Sequence, residues 1–321
     1  MPRTQQSATR RQTSLELVLP ATSANLGPAF DAAALALGLY LKIKARPATS
    51  FSIVADGRDA RICADADNNL ILETYRELLT AERKSVVPLA LHCKNEIPIG
   101  KGCGSSAAAR LAGIALAIHF GDLRWSDSRI IGEAARREHH PDNAAACWMG
   151  GLAIARMSRE NEAQVVNVEP KGKWPLLLAI PEESLSTEEA RRVLPAQYSR
   201  SDATANLQNA MLLLAAFTQG RRDVLNSALD DRMHQPYRSR LCPLLPALEQ
   251  SVGSDGILGV TLSGAGPSVL IFLDPSTPIK KTKTAVVAHL TRHDLSAELL
   301  ATEITREGAC DGQDWKKKHP S

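Results

Sequence analysis

The run Pro98, Ile99, Gly100, Lys101, Gly102, Cys103, Gly104, Ser105, Ser106, Ala107 and Ala108 has the residue types of an anion-binding turn. Glycines at alternate positions let the backbone bend until several N–H groups face one point, and the Ala-rich segment from Ser105 adds the positive end of a helix. Ser105 and Ser106 supply hydroxyls for phosphate oxygens or for a magnesium ion. The Gly-Lys-Ser/Thr ending of a Walker loop is missing, and the glycine spacing differs from the dinucleotide fingerprint. Taken alone, the segment also suits a flexible turn that starts a helix.

Three further segments carry polar groups beside turns. Thr22, Ser23 and Asn25 follow a short apolar run and suit bonding of the turn itself, whereas Asn25 and Asp31 suit recognition of an amine or hydroxyl. In residues 139–143, two adjacent histidines point different ways, so a two-His metal site is not expected. Asp142 and Asn143 either make a turn there or hold an attacking hydroxyl, with Glu138 or Glu133 as a magnesium ligand. Residues 261–268 form a second glycine turn, where Gly264 and Gly266 permit close approach to a ligand or to the first loop, or simply tighten the chain.

The elements that must position these groups follow from hydrophobic periodicity. Strands are expected at residues 15–19 (ended by Pro20), 30–43, 51–54, 89–93, 152–155 and 176–180, with a polar loop at 22–28. Helices are expected at 69–79, 105–120, 127–138, 187–193, 202–218 and 222–230. Residues 158–169 read as a charged hairpin or linker. Glycine-spaced strands fill 256–273, and a final helix and strand end near residue 305. The mixture predicts an α+β fold rather than a regular βαβ series. Expected units are a disordered start at 1–14, a first domain at 15–170, a second at 171–306 and a disordered tail at 307–321 rich in Gly, Asp and Lys.

The chain has 321 residues, 44% of them hydrophobic and 23% charged, so a sizeable core is available and wholesale disorder is excluded. Only 4% are aromatic, and Lys plus Arg exceed Asp plus Glu by three, 38 against 35. That balance fits a small anionic ligand and gives no footprint for nucleic acid. The longest nearly apolar run, residues 257–273, is broken by Gly, Ser and Pro, so no membrane span is expected. Six scattered cysteines without a CxxC pair point to reduced thiols in a cytoplasmic protein. The Arg, Ser and Thr of the first residues leave a short organellar presequence open beside a plain disordered start.

Taken together the motifs resemble those of the GHMP small-molecule kinases, in matching order and spacing, and within that superfamily the homoserine kinases. P-A-T-S-A-N-L-G-x-G-F-D matches residues 20–31 with Ala29 for glycine, P-x-G-x-G-L-G-S-S-A-A matches 98–108 with Cys103 for leucine, and L-S-G-A-G-P matches 262–267 fully. E-G-H-P-D-N resembles 138–143 with His139 for glycine, T-x-x-A-R-x-x-L-P resembles 187–195, and D-x-x-H-x-P-Y-R resembles 231–238.

The resemblance implies a two-domain fold, an N-terminal ribosomal-protein-S5-domain-2-like domain followed by a ferredoxin-like α/β sandwich. It implies ATP-dependent phosphorylation of L-homoserine on the route to threonine. Residues 98–108 would cradle the nucleotide, and Ser106 with Glu138, or Glu133 in its place, would hold Mg2+. Arg191 and Arg238 would clamp the substrate carboxylate. Asn25, Asp31 and Thr187 would take its amine and hydroxyl ends near Gly264. Asp142, Asn143 and Arg191 would be the catalytic residues. No nucleic acid or membrane partner is implied, and a homodimer is left open. The alternatives are a GHMP kinase for another alcohol such as mevalonate, or a non-catalytic nucleotide or amino-acid sensor.

Overall fold

The computed structural model describes residues 14–158 and 162–318. Two sheets organise the chain, as an α+β architecture requires. The first is built from β1 (Leu15–Asn25), β2 (Ala29–Pro47), β3 (Ser52–Gly57), β4 (Leu89–Asn95), β5 (Leu152–Met157) and β6 (Ala163–Val168). Its order is β1-β2-β4-β3, with β5 on the other end of β2 and β6 beside β5. The second is antiparallel, with β7 (Pro175–Ile180), β8 (Ile257–Leu262), β9 (Val269–Leu273) and β10 (Glu298–Glu303) in the order β10-β7-β9-β8. β7 and β9 are buried almost throughout, which explains their unbroken Leu, Ile and Val.

β1 runs straight through Pro20 to Asn25, so neither the expected stop at Pro20 nor the expected polar loop over 22–28 survives in full. The register against β2 shifts between Pro20 and Ala21, and such an irregularity is where a strand tolerates a residue lacking an N–H. Thr22 and Ser23, polar by type, are therefore fully buried strand residues. Either side of residues 159–161, which lie outside the described residues, β5 pairs with β6 in antiparallel register, as the hairpin reading of this charged stretch expects.

Helices α1 (Ala60–Cys63), α2 (Leu70–Ala81), α3 (Ser105–Gly121), α4 (Asp127–Glu138) and α5 (Asp142–Met149) belong to the first unit. Asn69 caps α2 by accepting from the N–H groups of Ile71 and Leu72, and Ser126 caps α4 through Arg129 N. The Ala-rich α3 is buried along most of its length, because small side chains let α2, α4 and α5 approach it from several sides. In the second unit lie α6 (Thr187–Arg192), α7 (Arg200–Gln219), α8 (Leu225–Ala228), α9 (Gln235–Arg238), α10 (Leu244–Glu249) and α11 (Ile279–Arg292).

Within the segment expected to be disordered from 307, residues up to 318 are folded. β11 (Cys310–Asp311) pairs with Leu17 and Val18 of β1, and α12 (Gly312–Lys318) follows. The anchor is Trp315, whose ring meets Tyr40 edge-on at 4.4 Å beneath Lys42, while Lys316 pairs with Glu16 at 2.7 Å. Composition pointed to disorder, and one aromatic contact overrides it. The expected disordered start lies, except for Ser14, outside the described residues. All six cysteines are free, and no helix among the described residues is long and apolar enough to cross a membrane.

Candidate active site

The two units meet at a cleft of about 660 Å³. One of its walls is the turn before α3, where Gly100, Gly102 and Gly104 all take positive φ. At Gly104, the residue that starts α3, φ is +72° and a β-carbon would stand 1.8 Å from Thr22 Oγ1. Glycine is required there on both counts, conformation and space. Gly100, Gly102, Gly104, Ser105, Ser106 and Ala107 line the cleft, and Ile99 lines an adjoining apolar pocket floored by Leu70, Ile71, Ile97 and Ala109.

Four residues of that motif face elsewhere. Pro98, Cys103 and Ala108 are buried packing groups, and the Cys103 thiol is pushed up to about 12 by burial, so it acts as a neutral filler. Lys101 Nζ donates to the main-chain carbonyls of Glu182 and Glu183 across the junction, away from the cleft. Its side chain ties the two units together instead of meeting phosphate.

α3 and α4 bring two oxygen donors to one point. Ser106 Oγ donates to Glu138 Oε1 at 2.7 Å, and Arg110 Nε donates to the same oxygen at 2.5 Å. Glu133, the alternative metal ligand, is excluded from this point. It lies five residues earlier on α4, where the helical turn aims it elsewhere, and Arg136 and Arg137 hold it at 2.8–3.0 Å. These two arginines lower its carboxyl against the opposing effect of burial, which is the largest single influence.

The opposite wall carries charge of both signs. Asp142, at the start of α5, is buried, and its Oδ1 accepts from the Asn143 N–H at 2.6 Å and meets His140 Nδ1 at 2.5 Å. Its Oδ2 has no hydrogen-bond partner among the described residues. Burial alone would depress His140, yet the Asp142 contact and charge raise it overall. Asp31 sits at φ +54°, a left-handed conformation uncommon for a side-chain-bearing residue. Burial raises its carboxyl; Arg191 opposes this and Asp142 reinforces it.

Thr187 and Arg191 lie four residues apart on α6, hence on one face, and both line the cleft. Arg191 Nη2 donates to both oxygens of Asp31, at 2.8 and 3.0 Å. Arg238 on α9 is only 1% exposed, yet no carboxylate among the described residues pairs with it. It donates from Nε to the Ala190 carbonyl at 3.0 Å, and burial followed by the Arg191 charge brings it down to about 10.

Asn25 lines the cleft, with its amide partly engaged by the protein. Its Oδ1 accepts from Asp31 N at 3.0 Å and its Nδ2 donates to the Gly264 carbonyl at 2.8 Å, fastening the two glycine-bearing loops together. Gly264 and Gly266 close the cleft on that side. Thr22 Oγ1 donates to Asn143 Oδ1 at 2.6 Å, which leaves the amide nitrogen of Asn143 unspent.

Three residues were not singled out as site groups in the sequence: His140, Thr22 and His234. The adjacency of His140 to Pro141-Asp142-Asn143 was the available signal for the first. The departures from the family pattern are mild. Ala29 does not take positive φ, and His139 closes α4 at φ +68° with its ring exposed, outside the cleft.

Residues 69–151 match the family model for the GHMP kinases N terminal domain, and 213–291 the one for GHMP kinases C terminal. The chain is 44% identical over 258 residues to the homoserine kinase of Solibacter usitatus, covering 80% of this chain and 84% of that protein. It is 36% identical over 302 residues to the homoserine kinase of Synechocystis, covering 92% and 97%. In three dimensions it is similar to the crystal structure of homoserine kinase from Cytophaga hutchinsonii, with a TM-score of 0.77 at 23% identity over 94% of this chain and 98% of that one.

Proposed function

The chain belongs to the homoserine kinase family of the GHMP kinases, and on that premise we propose that this cleft moves the terminal phosphoryl group of ATP onto the side-chain hydroxyl of L-homoserine. The protein is a phosphotransferase with the two-domain GHMP kinase fold. The observation that carries the substrate choice is buried charge of both signs in one cleft: the Arg238 guanidinium, which no carboxylate among the described residues pairs with, and the Asp142 carboxylate, whose Oδ1 meets His140 while its Oδ2 has no partner among the described residues. A buried ion is costly until paired, so this site suits a ligand that is itself a zwitterion. Mevalonate brings no ammonium to meet the open Oδ2 of Asp142.

Homoserine's carboxylate takes the Arg238 Nη2 side, with Arg191 able to turn from Asp31 as a second prong. Its ammonium replaces that cation between Asp31 and Asp142. The hydroxyl end meets the Asn143 amide nitrogen, whose orientation Thr22 fixes. The N–H groups of the glycine turn and the start of α3 hold the triphosphate, and the apolar pocket beside Ile99 receives the base. Ser106 and Glu138 are hard oxygen donors already 2.7 Å apart, a set that fits magnesium. Such an ion neutralises charge on the phosphate oxygens.

In phosphoryl transfer the new bond joins the homoserine oxygen to phosphorus while the bond to the ADP oxygen breaks. The transition state is loose, so the hydroxyl need not be deprotonated beforehand; its proton leaves as the bond to phosphorus forms, to a phosphoryl oxygen or to water. Alignment alone is worth roughly 7–11 kcal/mol of barrier. Asp142 therefore serves as counter-charge and anchor, and no general base is invoked. The deciding experiment is ADP release with homoserine, serine, threonine and mevalonate: homoserine should be used best, and turnover of mevalonate with none of homoserine overturns the proposal.

A further inference from the structure

His234 is completely buried behind the carboxylate-binding wall, and no step above uses it. Its Nε2 lies 2.8 Å from the Gly27 carbonyl oxygen, and its Nδ1 lies 3.2 Å from Arg238 Nη1. A carbonyl can only accept and a guanidinium can only donate, so these neighbours select one tautomer. Nε2 carries the hydrogen and Nδ1 offers a lone pair. Burial keeps the ring neutral by bringing it down to about 4, despite the nearby Asp231.

The same ring is fixed from two other directions. It stacks on Phe30 with centroids 5.2 Å apart, and Phe30 in turn faces the guanidinium carbons of Arg191 at 5.6 Å and Arg238 at 5.3 Å. The backbone under it is pinned by Asp231, whose carboxylate accepts from the N–H groups of Met233, His234 and Gln235 at 2.6–2.9 Å. With Nε on Ala190 and Nη1 on His234, Arg238 has Nη2 without a hydrogen bond to the described residues.

We infer that His234 is a positioning residue for substrate choice: braced on the Gly27 carbonyl, it holds Arg238 in the carboxylate-binding pose. The inference rests on the homoserine proposal and adds the group that makes the carboxylate count. Arg238 Nη1 also donates to the Gly264 carbonyl at a long 3.4 Å; without the Nδ1 lone pair that contact alone holds it, and the guanidinium is free to swing toward Gly264. Recognition of the ammonium and hydroxyl ends uses other residues and should survive.

The test compares two amino alcohols that differ by the carboxylate, homoserine and 3-aminopropan-1-ol. Their dissociation constants, and that of ATP, are measured by calorimetry for wild type, His234→Phe and His234→Gln. Phenylalanine keeps the stack on Phe30 and removes both hydrogen bonds. It should weaken homoserine roughly tenfold or more while leaving 3-aminopropan-1-ol and ATP within about twofold. Glutamine keeps a donor and an acceptor and should fall between wild type and phenylalanine. Equal weakening of both amino alcohols, or unchanged homoserine binding, overturns the inference. If His234→Phe does not fold, an unchanged homoserine-to-aminopropanol ratio in His234→Gln does so. Wild type that binds the two equally would instead overturn the proposal that Arg238 takes a substrate carboxylate.

Discussion

Ser106 and Glu138, thirty-two positions apart in sequence, share a 2.7 Å hydrogen bond that joins the beginning of α3 to the end of α4. Helix starts collect anions and helix ends collect cations, so a carboxylate at this junction is placed where a metal-bound phosphate would need it.

Exchanging the two acids of α4 separates their roles. Glu138→Gln should lower homoserine-dependent ADP release about a hundredfold and raise the magnesium concentration needed for half-maximal rate. Glu133→Gln should stay within about twofold in activity, with a small loss of thermal stability as Arg136 and Arg137 lose their partner. A magnesium titration of both variants decides it; a larger effect from Glu133 would reverse the assignment.

Gly104→Ala should be destabilising by a few kcal/mol, because the new methyl meets Thr22 Oγ1 at 1.8 Å and φ is +72°. Adding Thr22→Ala should relieve the clash and recover part of the melting temperature. It should also lower kcat, since Asn143 loses the hydroxyl that orients its amide. A double variant no more stable than Gly104→Ala alone would show that the steric account is incomplete.

Arg238→Met should weaken homoserine binding by about one to two orders of magnitude with little change in ATP affinity. Calorimetry with each ligand alone measures both. Equal losses for the two would place Arg238 on the nucleotide side.

Acid sensitivity has a defined sign. His234 titrates at about 4 when folded against an ordinary 6.5, so the unfolded chain takes up this proton first as pH falls. Its contribution is fully present above 6.5 and drains away as pH drops toward 4. Asp231 and Arg238 flank the ring and act on it in opposite directions, Asp231 favouring the proton and Arg238 opposing it. His140 is raised and works the other way, so the comparison must be with His234→Gln. Wild-type melting temperature should fall more steeply between pH 6.5 and 4 than that of the variant; parallel curves would contradict the assignment.

What could be seen from residues alone was the chemistry concentrated in short runs. Gly100 through Ser106 and Asp142-Asn143 carry their functional groups next to one another, and the cleft collects nearly all of them. What escaped depends on partners far along the chain. Asn25 looked like a ligand-facing amide, yet Gly264, 239 positions away, takes one end of it. Lys101 sits in the phosphate motif while its amine reaches carbonyls some eighty positions on. Glu133 and Glu138 share one amphipathic helix, and periodicity says that they point differently without saying which one meets the cleft. His234 stands in a recognisable motif, but its tautomer follows from two atoms that only the folded chain brings near.

The return of Cys310 and Asp311 to Leu17 and Val18 has a consequence for biosynthesis. β1 takes this neighbour from a segment 294 positions further along the chain, Leu17 against Asp311. Until that segment docks, the Leu17 flank is an unsheltered border, open to mispairing with a neighbouring nascent polypeptide. Completion of the first sheet thus waits on the docking of Cys310 and Asp311.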